Sequence, residues 1–136
     1  MTVLLVDAAN VVGARPDGWW RDRAGATERL LARLASLVGR TVTAPGGGEL
    51  TVTEVVAVVE GQARAATAPR EVTVVRAPGS GDDALAATAA ELAAAPEPPL
   101  VVTADRGLRA RLPAGVPVAG PGWLLGQLRH GTARDG

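Results

Sequence analysis

The residues best suited to chemistry are acids placed where apolar runs give way to turns. Leu100–Arg111 reads Leu-Val-Val-Thr-Ala-Asp-Arg-Gly-Leu-Arg-Ala-Arg, a β-branched run ending in Thr103 and Asp105, with a helix-like segment directly after. Val3–Asn10 repeats the arrangement with Asp7 and Asn10, and Val72–Asp83 passes through Gly79, Ser80 and Gly81 into Asp82 and Asp83. A fourth acid, Glu60, follows the apolar run Val55–Val59. In open α/β sheets, ligands bind at the carboxyl ends of the strands. Carboxylates gathered there repel one another, by about 4 kcal/mol for two unit charges ~4 Å apart at an effective dielectric near 20. A hard cation offsets that repulsion, and ligands that are all oxygen suit Mg²⁺ or Mn²⁺. Such an ion can activate water and stabilise in-line displacement at phosphorus.

Each acid also has a plainer reading. Ser80 with Asp83 resembles a capping box at a helix start, and Asp105 would cap the helix that follows it. Asn10 could satisfy backbone groups in a turn, and Glu60 could be an exposed strand end. Asp7 has no basic partner nearby in sequence. One shared cause explains the set more simply than several coincidences on one edge.

The elements that must position these acids follow from hydrophobic period. Thr2–Val6, Val55–Val59, Glu71–Arg76, Leu100–Thr103 and Val116–Val118 read as strands, continuously apolar where both sheet faces are covered. Arg21 to Val38 has helical spacing of Leu30, Leu34 and Leu37, with Gly39 as a stop. Thr41–Thr43 and Leu50–Thr53, around Pro45-Gly46-Gly47-Gly48, suggest a separate small hairpin. Gln62–Ala68, Asp82–Ala95 and Arg106–Leu112 read as helices, and Pro121 opens a last one carrying Trp123, Leu124, Leu125 and Leu128. Residues 8–18 are read as irregular around Gly13, Pro16 and Gly18. Strands alternating with helices predict a three-layer α/β/α domain with a mainly parallel central sheet of about five strands. Right-handed crossovers then put every strand's carboxyl end on one rim. A single domain over residues 1–130 with a flexible tail at 131–136 is expected.

The 136 residues include no cysteine, which excludes disulfides and thiolate metal sites. All 14 basic residues are arginine and are balanced by 14 acids. No global basic field therefore draws nucleic acid, although Arg106, Arg109 and Arg111, with Arg15, Arg21 and Arg23, could form a local stripe along a phosphate backbone. A solvated helix face explains the same arginines. Trp19 and Trp20 lie in the loop after the first strand, suited to stacking on a base, to anchoring core or to a homodimer contact. The single histidine, His130, lies near the tail and is not read as catalytic. No apolar run reaches the roughly 18 residues of a membrane helix, and Met1–Val6 lacks the flank of a signal peptide. A cytoplasmic protein with no membrane partner is expected.

Several of these segments resemble one family. Val-Asp-Ala-Ala-Asn-Val at 6–11 resembles the opening signature of the NYN branch of PIN-like nucleases, especially the YacP-like group. Val58-Val59-Glu60-Gly61 sits where such proteins often carry a strand ending in Asp-Gly, with Glu60 in place of the usual Asp. Gly81-Asp82-Asp83 resembles the acidic start of the family's central helix, and Val102–Leu108 its strand-end Thr-Ser-Asp-Arg-x-Leu segment. The resemblance implies a PIN-like fold and a metal-dependent endoribonuclease. Mg²⁺ or Mn²⁺ would be held by Asp7, by Asp83 or Asp82, and by Asp105, with Glu60 contributing. Asn10, Thr103, Ser80, Arg106 and Arg109 would contact substrate, which is RNA. A metal-dependent nucleotide phosphohydrolase and a non-catalytic binding module are the alternatives, because fold does not dictate function.

Overall fold

The computed structural model describes residues 2–15 and 18–135, with side chains as far as Arg129. His130 and the tail expected from 131 lie outside the described side chains. Strand β1 (Thr2–Asp7) is central, flanked in parallel by β3 (Glu49–Val59) and β5 (Leu100–Val102). Strand β6 (Val118–Ala119) extends the sheet beyond β5, and β4 (Val72–Arg76) pairs with the second half of β3, both in parallel. The short β2 (Thr41–Thr43) pairs antiparallel with the start of β3. The sheet thus has six strands in the order β2-β3-β1-β5-β6, with β4 on β3.

Strand parity divides the core into two layers. Leu4 and Val6 of β1, Val55, Ala57 and Val59 of β3, and Leu100 and Val102 of β5 face one side. There they meet Val11 and Val12 of α1 (Ala8–Gly13), Leu30, Leu31 and Leu34 of α2 (Arg23–Ala35), and Leu124 and Leu128 of α5 (Pro121–Asp135). The intervening residues Leu5, Val56, Val58 and Val101 face the other side. They are covered by Leu85 and Ala89 of α3 (Gly81–Ala93) and Leu108 of α4 (Arg106–Ala110). A strand apolar on both faces is what two helical layers require, and the three-layer α/β/α expectation holds.

The structure corrects three local expectations. The proposed hairpin strand and the buried strand after it are one element, β3. Its first half alternates and takes β2, its second half is buried throughout, and a register shift opposite Thr2 and Val3 absorbs the change. Residues 8–13, read as irregular, form helix α1, because Asp7 caps it and Val11 and Val12 pack into the core. Residues 61–65 form a tight 3-10 turn instead of a longer helix. Arg76 fastens that turn by donating to the carbonyls of Arg64 and Ala66.

Candidate active site

Parallel pairing puts the carboxyl ends of β1, β3, β4 and β5 on one rim, and the acids singled out above stand along it. Asp7 closes β1 and caps α1. Its Oδ1 accepts from the Asn10 backbone N–H at 3.3 Å, and its Oδ2 accepts from the Thr103 hydroxyl at 2.9 Å. Thr103 is fully buried just past β5, and its oxygen also accepts the Asp105 N–H at 3.1 Å. The Asn10 carboxamide oxygen accepts the Ala104 N–H at 2.7 Å. Two side chains from the first strand-to-helix turn therefore fasten the equivalent turn after β5. Asp105 uses its Oδ1 to accept the Leu108 N–H at 3.0 Å, so it caps α4 as well as standing on the rim.

The other side of the rim is built from the end of β3 and the head of α3. Glu60 Oε2 accepts the Gly81 N–H at 2.6 Å. A Cβ at residue 81 would lie 2.7 Å from the Glu60 carboxyl, so only glycine admits this contact unchanged. The Ser80 hydroxyl accepts from the Asp82 N–H at 3.2 Å and caps α3. The reciprocal half of the expected capping box is not formed, because Asp83 turns outward to Arg111, with 2.8 Å between Oδ1 and the guanidinium. Both partners are largely exposed, so this pair adds little to stability. It does separate the roles of the two neighbouring aspartates: Asp83 is paired at the surface and Asp82 is left toward the rim.

Electrostatics connects the acids across the rim. Burial pushes the Asp7 carboxyl above its ordinary value; the hydrogen bonds from Thr103 and Asn10 pull it back, and the charges of Asp82 and Glu60 push it up further. Asp82 is also raised, first by desolvation, then by Asp105 and Glu60, with Arg111 opposing. Asp7, Glu60, Asp82 and Asp105 thus share one field. Among the described residues, however, no group of three or more acids or histidines is set to hold a metal ion by itself. The donor set fits a hard cation that keeps waters and takes further oxygens from a substrate phosphate, as Mg²⁺ does with only one or two carboxylates.

The flanking arginines divide. Arg106 and Arg109 are exposed on α4, next to Asp105. Arg21 and Arg23 instead lie over the rings of Trp20 and Trp19, with 6.0 and 5.4 Å to the ring centres. Sequence reasoning found the four rim acids, Asn10 and Thr103. It missed the Arg111–Asp83 pair, whose partners are 28 positions apart, and the contact of Gly81 with Glu60.

A mainly parallel sheet between two helical layers, with acids on the carboxyl rim, defines a PIN-like, Rossmann-like α/β protein. No family model matches the sequence, and no curated protein matches it. The fold has solved neighbours, among them two crystal structures of Rae1 (YacP) from Bacillus subtilis. One, of a single-residue variant, superposes with a TM-score of 0.74 at 21% identity over 98% of this chain and 79% of that one. The other gives 0.69 at 21% identity over 99% and 78%. The chain therefore shares the YacP fold nearly end to end.

Proposed function

We propose that the protein is a metal-dependent endoribonuclease whose active site is the acidic rim. One observation carries the reading: Asp7, Glu60, Asp82 and Asp105, drawn from four distant segments, stand on a single strand-end rim, where Asp82 and Glu60 act on the Asp7 carboxyl and Asp105 and Glu60 on that of Asp82. The likeness to the YacP fold and the resemblance of the Asp7–Asn10 and Thr103–Leu108 segments to NYN nucleases point the same way.

In this reading one or two of Asp7, Asp82 and Asp105 would hold Mg²⁺ or Mn²⁺ directly, with the remaining acid and Glu60 reaching the ion through its waters. A bound ion would supply activation of water and neutralisation of charge on the phosphate under attack. Thr103 is a positioning residue, fixing the Asp7 carboxylate and the Asp105 backbone together. Asn10 fixes the turn at Ala104. Arg106 and Arg109 hold phosphates on either side of the cut. Asp83, paired with Arg111, orients α4 against α3 and does not bind metal.

Incubation of the protein with single-stranded and structured RNAs plus Mn²⁺ tests the proposal. Internal cleavage is expected, falling by about a hundredfold or more in Asp105→Asn, in keeping with the loss of a group that stabilises transition-state charge. The asparagine retains the cap on α4, so the fold survives the change. No cleavage, cleavage unaffected by Asp105→Asn, or release of phosphate from nucleoside triphosphates alone would overturn it.

A further inference from the structure

Next to the acidic rim, and sharing only Glu60 with the four rim acids, lies a hollow. It encloses about 390 Å³, within the range of small-ligand sites. Its walls come from α1 (Ala9, Val12), the turn at Trp19, α2 (Arg23, Thr27) and the end of β3 (Glu60). Trp19 is held in place: it is half-buried against the core, and Trp20 meets it edge-on, with ring centres 6.0 Å apart and planes at 86°. The Arg23 guanidinium lies 5.4 Å from the Trp19 ring centre, so an aromatic plane and a planar cation line the hollow together. The Thr27 hydroxyl is spent on the Arg23 carbonyl at 2.8 Å. The polar groups offered are therefore the Arg23 guanidinium and the Glu60 carboxylate, whose Oε2 is already engaged by Gly81.

A flat apolar wall with one donor and one acceptor at its margin matches a flat ring with apolar faces and polar edges. We propose that this cleft receives a single unpaired nucleobase of the RNA strand whose phosphate lies on the rim, stacked against Trp19 and Arg23 with its edge toward Glu60. The proposal rests on the nuclease reading of the rim and adds to it a place for one base beside that rim. Glu60 belongs to both sites, so the cleft adjoins the rim. A base held in a duplex cannot enter, so paired RNA is excluded.

Binding to the Asp105→Asn protein, read by fluorescence anisotropy, separates this from catalysis. A short single strand is compared with its duplex and with a set of strands in which one abasic site is moved along the sequence. One abasic position is expected to weaken binding roughly tenfold, the scale of a lost base–aromatic stack. Ala9→Leu, which fills the cleft from an exposed position and removes no core packing, is expected to produce the same loss. In Trp19→Ala the abasic site has no further effect, whereas Trp19→Phe retains most of the affinity. Equal binding of duplex and single strand, an even response to every abasic position, unchanged affinity in Ala9→Leu, or no RNA binding would each overturn the proposal. Cleavage by the unmodified protein with no position-dependent base effect removes the cleft and keeps the nuclease. Position-dependent binding without cleavage in Mn²⁺ removes the nuclease and keeps the cleft.

Discussion

At the residue scale the informative group is Asp7, whose carboxyl is raised above its ordinary value of 3.8, mainly by burial. A carboxyl with a folded pKa above its unfolded one favours the protonated protein. Its stabilising effect is present below the unfolded pKa and is lost as pH rises through the folded pKa. At neutral pH the ionised group is therefore a net cost to folding. Asp7→Asn is expected to raise the melting temperature by a few degrees at pH 7 in chelator, with the gain disappearing as the pH falls toward 3.8. Divalent cation should then stabilise the parent protein and leave the variant unmoved, since only a ligand that prefers the folded state shifts melting. A melting series with and without Mn²⁺ at several pH values reads both effects. Asp7, Asp105 and Thr103 were legible as strand-end residues because a buried strand has a clear hydrophobic signature. The outward turn of Asp83 was not legible, since it depends on Arg111, which reaches it from the end of α4.

At the scale of elements, the head of α3 and the end of β3 are fitted to each other through Gly81. In Gly81→Ala the new methyl group would displace the Glu60 carboxylate and break its hydrogen bond to the backbone. The loss of one hydrogen bond, about 0.5–1.5 kcal/mol, is offset in part by alanine's better helix propensity, up to about 1 kcal/mol. Stability is thus expected to change by about 1 kcal/mol or less while Mn²⁺-dependent cleavage drops severalfold. Urea titration beside a cleavage assay distinguishes this from general destabilisation. The alternation of strands and helices was readable along the chain, as was the long helix α2 with its row of buried leucines. Helix α1 was not, because six residues give too little period; its stability comes from the Asp7 cap and from Val11 and Val12 in the core. The continuity of β3 was hidden for a related reason: its two halves have different partners and so different patterns.

Across the whole molecule, positive and negative charges are equal in number, and none of the helices found among the described residues is long and apolar enough to cross a membrane. Under the proposed function, attachment to RNA would be local, through the exposed Arg106 and Arg109 of α4. With these two phosphate contacts the logarithm of affinity should fall with the logarithm of salt at a slope near −1.4 on a single strand. Arg106→Ala and Arg109→Ala should each reduce that slope by about 0.7, measured by anisotropy across a salt series. One further consequence comes from the place of β1 in the middle of the sheet. That strand pairs with β5 through Leu4 and Leu100, parts of the chain far apart in sequence. Synthesis delivers β1 first and its neighbour β5 late, so a polypeptide cut short before residue 100 would display a bare apolar edge, the kind that invites aggregation. Such a fragment would be prone to clump. The sheet thereby acquires all-or-none integrity from the order in which its strands are made.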